Sequence, residues 1–280
     1  MTEKETEQNM LMEFITETCY IDITKKVDFP PVALSFGEKV LKSDKKEGDT
    51  IVPIAIGTFG NLSVITAPPK TRKTFFVSLL ASAYLSGSNI YGGQIKGHRG
   101  NGDLIHIDTE QSPFHASRVF QRPLLMDSNI PKNKYHTFAL RTVGFKERLE
   151  FIEYYLKENI KEPSLLIIDG VADLCSDVNS IEQSNLLVST LMRISTQYKV
   201  HIITVIHQNY GSQKLGTGHL GSALEKKAET VVSLEANTMN KGWVTVKCGR
   251  SRGYSFETFS FEVNEKGLPT IVNDLYDPLK

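Results

Sequence analysis

Residues 62–80, LSVITAPPKTRKTFFVSLL, constrain the fold of this chain more than any other stretch. Leu62, Val64 and Ile65 belong to an apolar, β-branched run. The chain then turns through Pro68, Pro69 and a cluster of cations, and leaves as an apolar-rich segment that can continue as a helix. Strand, tight loop ending in Lys-Thr, then helix is the layout of a phosphate-binding loop. The pattern G-x-x-x-x-G-K-[ST] maps onto Ala67, Pro68, Pro69, Lys70, Thr71, Arg72, Lys73 and Thr74, with both glycines replaced.

Backbone N–H groups at the helix-proximal end of such a loop make most of the anion cradle, and the helix dipole assists them. Pro68 and Pro69 lack N–H groups but sit at the strand-proximal end; Thr71, Arg72, Lys73 and Thr74 keep theirs. Lys73 is placed to reach the outer phosphates, and the Thr74 hydroxyl can ligate Mg²⁺. Arg72 carries a side chain where glycine is free of a Cβ penalty. Lys70 and Arg72 are candidate extra phosphate-facing cations. From this stretch alone, a basic β-to-α turn without a ligand remains an open alternative.

The 280 residues fit one large domain or a domain with appendages, and 40% hydrophobic content is ample for a core. No run approaches the ~18 apolar residues of a membrane span. The start, MTEKETEQNM, is polar and acidic and does not resemble a signal or transit peptide. Cys19, Cys175 and Cys248 are dispersed, with no CxxC pair, which suggests reduced thiols, a cytoplasmic setting and no zinc site. Lys and Arg total 32 against 32 Asp and Glu, so attraction to nucleic acid must come from a local patch.

Residues 1–50 read as a leader: a short amphipathic segment near residues 10–14, a break at Pro30-Pro31 and a charged stretch at 42–49. It packs on the domain or on a neighbouring subunit. Residues 51–280 read as the main domain. Strands are expected at 104–108, 135–140, 164–169 and 200–206, with helices at 113–125, 145–159 and 181–197 between them. The alternation predicts an α/β three-layer domain with a mainly parallel sheet. Segments 230–234, 243–246 and 256–263 read as successive strands, an antiparallel extension.

Ligand groups of open α/β sheets collect where strands end. Asp169 ends the most apolar strand, where a carboxylate can hold a water on Mg²⁺ opposite Thr74; a helix-capping aspartate is the plain alternative. Glu110 follows the 104–108 strand, where it can polarise a water for attack on a terminal phosphate. His207-Gln208 closes the 200–206 strand, where a hydrogen-bonding side chain can sense that phosphate.

This set resembles the RecA-like NTPases, most closely the hexameric replicative helicases of the plasmid RepA and bacterial DnaB kind, over residues 57–263. The resemblance implies a RecA-like α/β/α domain with ATP and Mg²⁺ as ligands. It gives Glu110 the role of catalytic base and Asp169 that of the metal-linked aspartate. His207 or Gln208 becomes the strand-end sensor, with one residue of register open. It also makes 209–222 a DNA-facing loop in which Lys214 and His219 meet phosphates. Arg250 and Arg252, in KCGRSRG, become fingers offered to a neighbour's nucleotide; two apart on an extended chain, both can point the same way.

The expectation that follows is an ATP-driven ring, a hexamer of identical chains, moving on single-stranded DNA as a replicative helicase of a plasmid or mobile element. A primase or replication initiator is a candidate partner, and no membrane is involved. The alternatives are a RecA-like regulatory or assembly ATPase that binds nucleotide without unwinding, and a pure binder. Glu110 argues against the binder, which needs no base.

Overall fold

The computed structural model describes residues 3–42, 48–87, 89–90, 94–208 and 216–272. In chain order the elements are α1 (Glu3–Cys19), β1 (Val32–Leu41), β2 (Thr50–Thr58), β3 (Leu62–Ala67), α2 (Lys73–Ser86), β4 (Asn89–Ile90), β5 (Ile95–Gly97) and β6 (Leu104–Asp108). Next come α3 (Pro113–Met126), β7 (Tyr135–Ala139), α4 (Phe145–Asn159), β8 (Ser164–Asp169), α5 (Ile181–Gln197) and β9 (Val200–His207). The chain closes with α6 (Gly218–Lys227), β10 (Thr230–Ala236), β11 (Trp243–Ser251), β12 (Phe259–Val263) and β13 (Pro269–Val272).

Among the described residues the main sheet has nine strands in the order β13-β12-β11-β10-β3-β9-β8-β6-β7. From β10 to β7 every pairing is parallel. β11, β12 and β13 extend this block antiparallel. The RecA-like arrangement expected from the alternation is therefore present, with one refinement: β10 is the last parallel strand, and the antiparallel run starts after it.

Every residue of β3, β6 and β8 is buried, as strands covered on both faces must be. On one face α2 is buried from Phe76 through Leu85, nearly all round its circumference, so it lies inside the molecule rather than on its surface. Its core joins Ile65, Ile167, Ile203 and Val205 to Phe36, Phe256 and Phe259, where Phe36 and Phe259 stack with centroids 4.2 Å apart. On the other face Ile152, Leu156, Leu187, Leu191, Ile194, Leu220 and Leu224, from α4, α5 and α6, pack on Ile105, Ile107, Leu166, Ile168 and Ile202. The three layers follow from these two cores.

A smaller sheet, β2-β1-β5-β4, covers α2 through Leu34 and Phe36 of β1. The sequence reading places residues 32–41 in the leader; instead β1 pairs antiparallel with β2 and β5, and the described residues from Pro31 onward belong to one compact unit. Met1–Pro30 forms a separate unit. Its α1 leaves Met10, Leu11, Phe14 and Ile15 more than 40% exposed. No described helix is long and apolar enough to cross a membrane.

Candidate active site at the strand ends

Strand register brings the candidate residues together. Ala67 pairs with His207, Asp169 with Val205, and Asp108 with Asp169, so β3, β9, β8 and β6 end side by side. A cleft of about 400 Å³ opens there, lined by Lys70, Thr71, Arg72, Lys73, Thr74, Glu110, Asp169 and His207, together with Phe75, Gln111, Val119 and Arg122.

The loop after β3 reaches the N-terminus of α2 without glycine. Lys70 (φ 64°) and Arg72 (φ 57°) both take left-handed backbone conformations. For a residue with a Cβ this costs about 1–2 kcal/mol, and it is what glycine would supply free at position 72. Arg72 thus adopts the backbone shape the pattern requires, and Phe75 and Phe76 donate their N–H groups to its carbonyl. Its guanidinium turns aside: Nη1 donates to the Gly242 carbonyl at 2.6 Å. Of the two candidate extra cations, Lys70 is exposed at the cleft, while Arg72 is engaged with Gly242.

Lys73 Nζ lies 2.9 Å from His207 Nδ1. A lysine ammonium has only donors, so Nδ1 accepts and the ring proton resides on Nε2. That nitrogen faces Glu110 Oε1 at 3.8 Å. His207, and then Lys73, hold the Glu110 carboxylate below its usual range despite partial burial. Burial lowers the Lys73 ammonium, opposed by Glu110 and Asp169. Asp169 is buried, and burial beside Asp108 and Glu110 pushes its carboxyl up to about 7, against a hydrogen bond from Thr74 and the Lys73 charge. Its Oδ2 is buried with no hydrogen-bond partner. A buried carboxylate oxygen left without a partner, beside a threonine hydroxyl, fits a hard cation such as Mg²⁺.

Glu110 is aimed by Asp108, which the strand reading passes over. Asp108 Oδ1 accepts from Glu110 N (3.0 Å) and Gln111 N (2.8 Å), and Gln111 Nε2 donates to Oδ2 at 2.8 Å. An aspartate capping the two following N–H groups is a turn signal readable in sequence. Gly170 (φ 102°) admits this loop: a Cβ there would meet Thr109 Oγ1 at 2.2 Å.

Of the pair His207-Gln208, His207 lines the cleft. Gln208 is 5% exposed, and its Nε2 donates to Thr66 Oγ1 at 3.0 Å, inside the sheet and outside the cleft lining. Arg122 is the cleft residue that the sequence reading misses. Its guanidinium lies 3.9 Å from the Phe75 ring centroid, and Nη1 donates to Ser78 Oγ (2.9 Å) and Thr74 O (3.4 Å). Its only sequence signal is its place on the helix after Glu110.

The remaining candidates lie elsewhere. Lys214 and residues 209–215 are outside the described residues. The expected loop ends earlier than residue 222, because 218–222 form the first turns of α6, where His219 is exposed. β10 runs parallel to β3 and β11 antiparallel to it, so Trp243 sits at the cleft end of the sheet and Arg250 at the opposite end. Val231 pairs with Arg250 and Val232 with Cys248, which leaves Gly249 as a bulge. The bulge turns Arg250 off the face of Val244, Val246 and Cys248. Arg252 is tied back by Nη2 to the Lys227 carbonyl at 2.9 Å. The two arginines expected to point together are thus held differently.

A parallel α/β sheet with a lysine-threonine loop on a helix N-terminus, an aspartate ending one strand and a glutamate after another defines a P-loop NTPase of the RecA-like kind. The chain belongs to the family described as AAA domain, whose model matches residues 54–213. Among solved structures, one described as an ATPase domain shares the fold with a TM-score of 0.55 and 15% identity, covering 76% of this chain and 85% of that one. No curated protein matches.

Proposed function

We propose that this protein binds ATP with Mg²⁺, hydrolyses it, and works as a ring of identical chains, a hexamer, on single-stranded DNA. The observation that carries this is the convergence of Lys73, Thr74, Glu110, Asp169 and His207 in one cleft at adjacent strand ends. A replicative role on a plasmid or mobile element, in the cytoplasm and beside a primase or initiator, is the setting that suits such a motor.

In this reading Lys73 leaves His207 for the outer phosphates, and the N–H groups of 71–74 cradle them. Thr74 and Asp169 would hold Mg²⁺, which would supply neutralisation of the phosphate charge. Glu110 Oε takes the proton of the attacking water. His207, freed from Lys73, keeps its Nε2 proton toward the terminal phosphate and the Glu110 carboxylate. Arg250 lies seven residues along β11 from Trp243, roughly 23 Å from the cleft end of the sheet. It therefore serves a neighbour's site, where an arginine from outside is worth ~10³–10⁵ in rate in other phosphoryl transfers. DNA contact falls to residues 209–222, with Lys214 the leading phosphate ligand and His219 at its edge. The exposed apolar residues of α1 make the leader an oligomer contact.

ATPase assays with and without single-stranded DNA, beside Lys73→Ala, test the reading. Stimulation by DNA that Lys73→Ala abolishes supports it. Hydrolysis indifferent to DNA, with DNA affinity unchanged in Lys214→Ala, favours the regulatory ATPase. Mixing Glu110→Gln subunits with Arg250→Ala subunits, each inactive alone, restores hydrolysis if base and arginine come from different chains.

A further inference from the structure

We propose that Arg72 is a positioning residue that couples a subunit's own phosphate loop to the arginine it presents to the next subunit. The inference rests on the reading of Arg250 as acting on a neighbour's site. Arg72 occupies the loop position where the phosphate-loop pattern has glycine, in a left-handed conformation that glycine would take more easily. Its guanidinium spans 170 residues of sequence to the Gly242 carbonyl, at 2.6 Å.

Gly242 ends the turn between β10 and β11. That turn is built by its own bonds: Asn237 Oδ1 accepts from Met239 N and Asn240 N at 2.9 Å, and Trp243 N donates to Asn240 O at 3.1 Å. The next residue, Trp243, starts β11, and its indole Nε1 donates to Glu262 Oε2 at 3.0 Å. From Trp243 to Val246 β11 is paired with β12, and from Val244 to Ser251 with β10, with Val244 and Val246 buried. In this proposal a displacement of the turn passes along β11 on its β10 pairing. Its far end carries the Gly249 bulge and Arg250. One side chain therefore connects the residue that caps α2, whose backbone closes the phosphate loop, to the cleft end of the strand that carries Arg250.

An arginine suits the link because its planar fork offers several charged donors at once. Arg72 holds the Gly242 carbonyl with a charged nitrogen while the residue itself lines the cleft. A shift of the loop on phosphate would draw on the turn, and through β11 on Arg250. Glycine at 72, which relieves the backbone, would sever the link.

The test places Arg72→Gly in one partner of a mixed assembly. Glu110→Gln subunits supply Arg250 but do not hydrolyse; Arg250→Ala subunits hydrolyse only with a neighbour's Arg250. Adding Arg72→Gly to the Glu110→Gln subunits should lower the recovered rate about tenfold in kcat, with KM unchanged, because every hydrolysing site keeps its own Arg72. An unchanged recovered rate would mean that Arg72 serves only its own cleft, and would overturn the proposal while leaving the trans arginine intact. If the parent mixture recovers nothing, the trans reading fails by itself. Amide exchange then decides the coupling: in Arg72→Gly alone, faster exchange at 241–243 and also at 248–251 upholds the link along β11, and change confined to 70–76 overturns it. The variant is compatible with folding, since φ 57° is open to glycine.

Discussion

Lys73 and His207 stand 134 residues apart in the chain and 2.9 Å apart in the structure, Nζ to Nδ1. The contact exists because Ala67 and His207 are register partners on adjacent parallel strands, and the loop after Ala67 folds back over that pair. It puts the lysine expected to hold phosphate, a histidine and the glutamate expected to act as base in one line.

Glu110→Gln should leave ATP binding within about twofold and reduce turnover ~10²–10⁴-fold, the range for loss of a positioned base. The amide preserves size and hydrogen bonding but cannot take the proton. Equilibrium binding beside steady-state hydrolysis checks this, and wild-type turnover in the variant would move the base elsewhere.

His207→Ala and Gln208→Ala should separate cleanly. Gln208 is buried and bonded to Thr66, so its removal leaves an unpaired hydroxyl and costs about 1–3 kcal/mol of stability with ATP affinity unaltered. His207 is half-exposed at the cleft. Its removal should cost little stability and slow hydrolysis. Denaturant midpoints and kcat for the pair read both effects; a stable, slow Gln208→Ala would reverse the assignment.

Arg122→Ala should weaken ATP binding about tenfold, by losing a cation at the cleft and the packing over Phe75, which is worth about 0.5–2 kcal/mol. Arg122→Lys should recover part of the affinity, since a point charge remains without the planar stack. Titration calorimetry on the two variants checks this, and wild-type affinity in both would make Arg122 a purely structural tie between α3 and α2.

Acid should destabilise the fold through its buried imidazoles. His106 is fully buried, hydrogen-bonded through Nδ1 to Tyr135 OH at 2.9 Å, and burial with the nearby Arg122 holds it at about 3 instead of 6.5. His201 is lowered in the same sense by burial. A depressed folded-state value means stability that is fully present above the unfolded value of 6.5 and is lost as pH falls toward the folded one. Thermal melts between about pH 7 and 4 should therefore show a steady decline, and in His106→Gln the slope should be shallower by up to about 1.4 kcal/mol per pH unit. Identical slopes in the two proteins would place the acid sensitivity in other groups.

Local chemistry was enough to mark the strand–loop–helix at residues 62–80, the buried run ending in Asp169 and the alternation that makes a parallel sheet. Each of these depends on side chains a few positions apart: β-branched runs, a turn with two prolines, an aliphatic strand closed by a carboxylate. Glu110 was legible for the same reason, as an acid just past a strand. Tertiary structure decided the rest, because each remaining point turns on which strands become neighbours and in which register. Pairing of β3 with β9 put His207, and not Gln208, at the cleft. Packing of α3 on α2 brought Arg122 to Thr74 and Phe75. Reversal of direction between β10 and β11, with a bulge at Gly249, put Arg250 at the far end of the sheet and separated it from Arg252. Long-range register is set by burial of whole faces, and no window of sequence around a single residue contains it.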